Sequence, residues 1–255
     1  MGIIISVAGK GGVGKTTIAS ILVKELCETG SPVLAIDADP NYNLGDRLGV
    51  EVSNTIGALR EEIMKTKDEL PSGVSKHELV EYQVRMALQE EDSFDLLTMG
   101  RQEGPGCYCF INSVLRSFID ALASKYQYIV IDNEAGLEHL SRRTTLGSDL
   151  LFIVADSSNI ALQAAGRIGR LADEMELKIK RKALILNRTD KPPTDEIVQT
   201  TGYLFNAAYN VRTDGAVKET SDNGRSLMAL QNITPAIEDI GRILSEELRY
   251  VKLLR

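Results

Sequence analysis

Short apolar runs alternate with longer helical patterns from one end of the chain to the other. Most of these runs are continuously apolar, which is typical of parallel strands that are buried on both faces of a sheet. The alternation therefore predicts an α/β fold, in which a mostly parallel central sheet carries helices on both faces. The predicted strands cover residues 3–8, 33–37, 94–99, 128–132, 150–154 and 183–187, with a weaker strand at 203–205.

A long polar insertion, residues 45–93, separates two of these strands. It carries predicted helices at residues 55–67 and 76–90, and a Pro-Ser-Gly sequence at residues 71–73 interrupts the helical pattern. No change of composition marks a linker between domains. We therefore expect residues 1–255 to form a single domain, which is long enough to bury a large core.

The overall charge argues against broad classes of partner. Lys and Arg number 29 and Asp and Glu number 36, and the net charge of −7 disfavours a general electrostatic grip on nucleic acid or anionic lipid. No apolar run reaches the about 18 residues that a membrane span needs, and residues 1–3 lack the basic start of a signal peptide. After Pro235, four acids match four bases along an amphipathic pattern, which predicts a helix packed on the sheet. We expect a soluble, cytoplasmic protein with no membrane or nucleic-acid partner.

A glycine-rich loop directly follows the first predicted strand. Residues 9–16, Gly-Lys-Gly-Gly-Val-Gly-Lys-Thr, fit the phosphate-loop pattern GxxxxGK[ST] and open a predicted helix at residues 16–27. Backbone N–H groups of such a loop and the helix N-terminus bind phosphate oxygens. Lys15 is expected to reach the terminal phosphates, and the Thr16 hydroxyl is expected to ligate Mg²⁺. The candidate nucleotide-binding residues of the loop are Gly11, Gly12, Val13, Gly14, Lys15, Thr16 and Thr17.

Acidic residues end two further predicted strands. Asp37 and Asp39 stand at the end of the second strand, and a two-residue period directs both carboxylates to the same side if the strand extends that far. Asp132 ends the run at residues 128–132. Ligands of parallel sheets bind at the carboxyl ends of the strands, so we expect these acids to lie beside the phosphate loop. Asp132 has the Walker B position that holds Mg²⁺ through water. Asp37 is expected to contribute to Mg²⁺ binding indirectly, next to the groups that contact the ion.

Residues 10–17, Lys-Gly-Gly-Val-Gly-Lys-Thr-Thr, resemble the deviant Walker A motif of Min-type and Par-type ATPases, nitrogenase iron protein and the arsenite-pump ATPase. The resemblance implies that Lys10 crosses a dimer interface to the partner's nucleotide, where a cation stabilises charge that develops on the phosphates. On the residues alone, a solvated loop lysine is an equal alternative. The resemblance also implies that Asp39 orients the attacking water and that Asn187 binds adenine, although an asparagine after a strand is also a common turn residue.

Two cysteines, Cys107 and Cys109, flank a single tyrosine. In an extended segment, residues i and i+2 face the same way with their Cα atoms about 6.5 Å apart, so both thiolates can bind one soft metal ion. A tetrahedral site needs four ligands, and a twofold dimer supplies the other two sulfurs by symmetry. Two structural thiols, or an internal redox pair of unfavourable geometry, are the alternatives. Cys27 falls in the first predicted helix as a buried hydrophobe, and the lone His139 is expected to be a surface residue.

Four segments together resemble the CooC-type nickel-inserting ATPases, which mature carbon monoxide dehydrogenase and acetyl-CoA synthase. These are residues 10–17, 37–40 (Asp-Ala-Asp-Pro), 106–109 (Gly-Cys-Tyr-Cys) and 132–139 (Asp-Asn-Glu-Ala-Gly-Leu-Glu-His), and the resemblance extends through Asn187. It implies an ATP-hydrolysing metallochaperone, a nucleotide-dependent homodimer that holds Ni²⁺ between two cysteine pairs. Carbon monoxide dehydrogenase or acetyl-CoA synthase is the implied client. Zn²⁺ suits the same four sulfurs.

Two other functions fit parts of the sequence. A Min-type or Par-type positioning ATPase would act as a switch on membrane or DNA, but the acidic balance disfavours it and it leaves the cysteine pair without a task. A nitrogenase-reductase-like electron donor would need a further cysteine soon after Asp132, and residues 133–150 contain none.

Overall fold

The computed structural model describes residues 2–65, 76–100, 125–135, 147–194, 197 and 204–254. The strands of this part are β1 (Ile3–Gly9), β2 (Val33–Asp37), β3 (Leu88–Glu90), β4 (Asp95–Thr98), β5 (Tyr128–Asp132), β6 (Ser148–Ala155), β7 (Ile179–Asn187) and β8 (Ala207–Val211). The helices are α1 (Lys15–Cys27), α2 (Asn43–Leu48), α3 (Ile56–Lys65), α4 (Lys76–Ala87), α5 (Asn159–Glu174), α6 (Gly215–Asp222) and α7 (Pro235–Leu253). A short 3₁₀ turn, Leu227–Ala229, lies between α6 and α7.

The eight described strands form one sheet in the order β3-β4-β2-β5-β1-β6-β7-β8. Every neighbouring pair is parallel except the edge pair β3 and β4. The glycine-rich loop therefore leaves the sheet from a central strand, β1, which lies between β5 and β6. The mostly parallel α/β fold predicted from the alternating pattern is confirmed.

Apolar side chains cover both faces of the sheet. Alternate residues of β1 belong to different clusters: Ile3 and Ile5 pack in the larger cluster with α1 and α7, whereas Ile4 packs in a smaller cluster. The smaller cluster also contains residues of β2 and β5, and α3 and α4 cover it through Ile56 and Val84. Helices therefore lie on both faces, as the continuous apolar strands predicted.

Two sequence predictions are wrong in detail. The helix predicted at residues 76–90 ends at Ala87, because residues 88–90 instead pair antiparallel with β4 as an edge strand. The weak strand predicted at 203–205 is displaced to Ala207–Val211. Tyr203 lies outside the described residues, while Leu204 and Phe205 are buried in a turn, where they pack near Gly169 of α5. Their apolar character reflects this packing and not a place in the sheet.

The predicted amphipathic helix after Pro235 is confirmed as α7. Its apolar residues Ile237, Ile240 and Val251 are buried, and it packs against α1 and the sheet. Glu247 on the same face is fully buried, where it pairs with Arg181 and accepts a hydrogen bond of 2.7 Å from the Tyr209 hydroxyl. Among the described helices, none has the length and apolarity that crossing a bilayer requires.

Candidate nucleotide site

The glycine-rich loop joins β1, which ends at Gly9, to α1, which begins at Lys15. Gly12 and Gly14 have φ angles of 82° and 95°, a left-handed backbone that glycine adopts without steric cost. Helix α1 then begins at Lys15 with no acidic residue in its first turn. The first N–H groups of a helix have no intrahelical partner and carry partial positive charge, so the loop and helix together form an anion site.

The carbonyl groups of the loop are held from behind. The Asn187 side-chain nitrogen donates a hydrogen bond of 2.8 Å to the Val13 carbonyl oxygen. The next residue, Arg188, donates from Nη2 to the Gly12 carbonyl oxygen at 2.6 Å. Behind Gly14 there is no room for a side chain, since an added Cβ would lie 2.4 Å from the Asn187 amide nitrogen. The residues at the end of β7 therefore pack directly against the phosphate loop.

Asn187 makes contacts that neither sequence interpretation included. It is buried, its nitrogen is bonded to the loop, and its side-chain oxygen accepts a 3.0 Å hydrogen bond from the Arg188 N–H. The side chain therefore supports the loop in this structure, and adenine binding by Asn187 stays a prediction. The sequence analysis did not identify Arg188 as a residue of the site. Its position directly after a predicted strand, at the carboxyl edge of the sheet where the phosphate loop lies, could have indicated it.

Asp132 lies beside Lys15 and Thr16 at the carboxyl end of β5. It is 1% exposed, and its Oδ1 atom has no hydrogen-bond partner among the described residues. Burial raises the pKa of Asp132 from its ordinary 3.8 to about 6, against the opposing effects of a hydrogen bond from the Thr16 side chain and the charge of Lys15. An unpartnered buried carboxylate oxygen beside a threonine hydroxyl fits a hard divalent cation such as Mg²⁺, which prefers oxygen ligands.

Asp37 stands next to Asp132, because the two residues pair in register across β2 and β5. Its Oδ2 accepts a 2.8 Å hydrogen bond from the Leu44 N–H, and its Oδ1 accepts one of 3.1 Å from the Asp39 N–H. Burial raises the pKa of Asp37 to about 7, and the nearby carboxylate of Asp132 also raises it. Asp37 therefore anchors the segment that follows β2. Its buried negative charge, next to that of Asp132, would be stabilised by a bound cation.

Asp39 lies two residues beyond the end of β2 and is half-buried. Its Oδ1 accepts a hydrogen bond of 2.8 Å from the Asn41 N–H, which forms a tight turn before α2. The Asp37 anchor holds this turn at the carboxyl edge of the sheet. The charge of Asp39 acts on Asp37 and Asp132, so Asp39 lies near these two acids. Because β2 ends at Asp37, the two-residue period does not extend to Asp39.

Lys10 is exposed on the loop. Its charge is near Asp156, which follows β6, because β6 pairs with β1 in register up to Val154 and Gly9. Hydrogen bonds from the Ser158 side chain and N–H lower the pKa of Asp156, and the charges of Arg188 and Lys10 lower it further. An exposed Lys10 is compatible with both interpretations of the sequence, the solvated lysine and the lysine that acts on a partner.

The proposed metal ligands Cys107 and Cys109 lie outside the described residues, and so does His139. No group of three or more metal-binding side chains occurs within the described part of the chain. Cys27 is half-buried in α1, its thiol donates to the Ser93 carbonyl oxygen at 3.3 Å, and burial raises its pKa to about 11. Its thiol is therefore protonated and unreactive, in line with a packing role.

A phosphate loop between β1 and α1, with a buried acid at the end of the neighbouring strand β5, defines a P-loop nucleotide-binding protein. The chain belongs to the AAA domain family, whose model matches residues 1–185.

Similar proteins cover most of the chain. It is 46% identical over 197 residues to an uncharacterized ATP-binding protein of Methanocaldococcus jannaschii, covering 76% of this chain and 78% of that protein. It is 30% identical over 246 residues to the carbon monoxide dehydrogenase accessory protein CooC of Rhodospirillum rubrum, covering 92% of both. Among solved structures, a ParA family ATPase from Chlorobium tepidum matches with a TM-score of 0.71 and 25% identity over 94% of this chain and 96% of that one.

Proposed function

We propose that this protein is an ATP-dependent nickel metallochaperone that inserts Ni²⁺ into carbon monoxide dehydrogenase or acetyl-CoA synthase. The observation that carries the proposal is the 30% identity to the accessory protein CooC over 92% of both chains, combined with the Cys107 and Cys109 pair. Residues 1–255 act as one domain in the cytoplasm, and two copies form a nucleotide-dependent homodimer. No membrane or nucleic acid takes part in this function.

The energy source in this proposal is hydrolysis of ATP to ADP and phosphate. Lys15 and the loop N–H groups bind and orient the phosphates, and Asp39 orients the attacking water. Thr16 and Asp132 are the residues that would hold Mg²⁺, and Asp37 would support Asp132 from the neighbouring strand. Mg²⁺, when bound, would neutralise charge on the phosphates. Lys10 of one protomer stabilises charge on the nucleotide of the other.

Two substitutions separate binding from hydrolysis. Lys15→Ala removes the buried cation of the loop, so ATP binding should be lost. Asp39→Ala leaves the loop intact, so ATP should still bind while turnover falls at least about a hundredfold. Isothermal titration and phosphate release measure the two properties. Undiminished turnover of the Asp39 variant would contradict the assignment of Asp39.

The nickel in this proposal is cargo and binds at a site shared by two protomers. Each chain contributes Cys107 and Cys109, and four thiolates complete a tetrahedral site on the twofold axis. Thiols must lose protons to bind metal, so metal affinity falls as the pH is lowered. Zn²⁺ competes for the same sulfurs.

Metal analysis combined with gel filtration tests the shared site. We expect one Ni²⁺ or Zn²⁺ per two chains, and the double variant Cys107→Ser/Cys109→Ser should lose both metal and metal-linked dimerisation. Cys27→Ser is the matched control, because the Cys27 thiol in α1 donates a hydrogen bond to the Ser93 carbonyl oxygen and its loss should leave the stoichiometry unchanged. One metal per chain, or tight binding by the double variant, would refute the shared site.

A second candidate is a positioning ATPase of the Min or Par type. The observation that favours it is the similarity in fold to the ParA family ATPase, at 25% identity. Such a protein would bind DNA or vesicles of anionic lipid when ATP is present. Sedimentation with these two probes, in the presence of ATP and of ADP, distinguishes it from a metallochaperone, which should remain in the supernatant.

A further inference from the structure

Arg188 connects the far half of the sheet to the phosphate loop. It directly follows β7, which is separated from β1 by β6, and its guanidinium reaches the Gly12 carbonyl oxygen at 2.6 Å. The contact spans 176 residues of sequence, so it depends on the order of strands in the sheet. Asn187 makes the neighbouring contact, with the Val13 carbonyl oxygen.

The two contacts determine the direction of two N–H groups. A trans peptide unit is planar, and its C=O and N–H bonds point to opposite sides. A Gly12 carbonyl that is held toward Arg188 therefore turns the Val13 N–H to the opposite side, away from Arg188. In the same way, the Asn187 contact with the Val13 carbonyl turns the Gly14 N–H away from Asn187. These two N–H groups are then free to bind phosphate oxygens on the side opposite to β7.

The backbone of Arg188 is strained, and the surrounding contacts hold it in that conformation. Its φ angle is 58°, a left-handed conformation that costs a residue other than glycine about 1 kcal/mol. The segment is fixed on its far side, because the Thr189 N–H donates to the Val211 carbonyl oxygen at 3.0 Å and the Asn210 side chain donates to the Thr189 carbonyl oxygen at 3.3 Å. A glycine would meet this backbone requirement more easily, but it would supply no donor to the loop.

We propose that Arg188 is a positioning residue, which presets the Gly12–Val13 peptide of the phosphate loop for binding polyphosphate without touching the nucleotide itself. The inference rests on the proposed nucleotide-binding function and adds a residue to it. Preorientation raises affinity because the loop no longer has to be ordered when the ligand arrives.

The test compares Mg-ATP with Mg-tripolyphosphate, a probe that has no base and no ribose, in isothermal titrations of the nucleotide-free protein. Arg188→Gly removes the donor at a position where glycine suits the backbone, so the unfolding midpoint should stay within about 3 °C of wild type. Both probes should bind about tenfold more weakly, the loss expected for one hydrogen bond from a charged donor. Arg188→Lys keeps a cationic donor and should recover part of the affinity for both probes. Arg249→Ala, which removes an exposed arginine from α7, is the matched control and should change neither affinity.

Three outcomes would overturn the inference. Unchanged affinities in Arg188→Gly would show that the contact does not preset the loop. A loss confined to Mg-ATP would mean that Arg188 touches the nucleoside directly. A loss of affinity for both probes that Arg188→Lys does not relieve would contradict the role of the donor. If the wild-type protein binds neither probe, the nucleotide-binding function itself fails, which is a separate and recognisable result.

Discussion

Asp132→Asn tests the conclusion that the buried, ionised carboxylate of Asp132 destabilises the folded chain when no cation is bound. Asp132 is 1% exposed, and burial raises its pKa from 3.8 to about 6. The folded state therefore holds its proton more tightly than the unfolded state. The stability that this provides is fully present below about pH 3.8 and is lost as the pH rises through about 6.

The size of the effect follows from the two pKa values. A tenfold change in the proton equilibrium corresponds to about 1.4 kcal/mol, so the ionised Asp132 lowers the free energy of unfolding by up to about 3 kcal/mol at pH 8. The asparagine side chain does not ionise, so the variant does not lose this stability at high pH. The burial of its amide shifts the stability of the variant by the same amount at every pH. Loss of the Asp132 charge also lowers the pKa of Asp37, which changes the pH profile in the same direction.

Urea unfolding from pH 4 to pH 8, with EDTA and without nucleotide, measures the effect. The difference in unfolding free energy, variant minus wild type, should increase by up to about 3 kcal/mol across this range. Asp222→Asn makes the same chemical change at an exposed position on α6 and is the matched control. If the Asp132 variant and wild type keep a constant difference from pH 4 to pH 8, the buried ionised carboxylate is refuted.

Three further predictions concern the interface, the loop and the core. Lys10→Ala should retain ATP binding by the monomer but lose ATP-dependent dimerisation and most hydrolysis; unchanged ATP-linked dimerisation in gel filtration would make Lys10 a solvated loop lysine. Gly14→Ala should lower the unfolding free energy by about 2 kcal/mol and abolish ATP binding, because its new Cβ would lie 2.4 Å from the Asn187 amide nitrogen. Gly30→Ala isolates backbone strain, since that glycine also has a positive φ but no neighbour within 4 Å, and it should leave ATP binding intact. Glu247→Gln should cost about 3 kcal/mol in urea unfolding, because it leaves a nearly buried arginine without its partner charge; a loss below about 1 kcal/mol would contradict this.

The sequence pattern predicted the structure correctly where the functional residues are consecutive along the chain. The glycine-rich loop, the strand before it and the helix after it are consecutive in sequence, so one short segment predicts the whole unit. Asp132 was found in the same way, because it ends an unbroken apolar run. The sheet as a class was also predictable, because continuous apolar strands require cover on both faces.

Local pattern failed where a partner strand decides the structure. Residues 88–90 continue a helical pattern, yet the open edge of β4 offers hydrogen bonds that draw them into the sheet as β3. Leu204 and Phe205 are as apolar as a strand, but they pack against α5, and the more polar β8 follows them. Periodicity reports which side chains are buried, and it does not report which element buries them.

The sequence by itself determined the α/β class, the phosphate loop and the acids at the strand ends, because each of these is written in residues that are close together along the chain. Only the tertiary structure decided that Asn187 and Arg188 hold the loop from behind, and that Asp37 and Asp132 face each other as neighbours. Those relations depend on the strand order β2-β5-β1-β6-β7, which joins residues up to 176 positions apart. The physical reason is that hydrogen bonds and buried charges act through space, whereas the hydrophobic pattern along a chain records only whether each residue is covered.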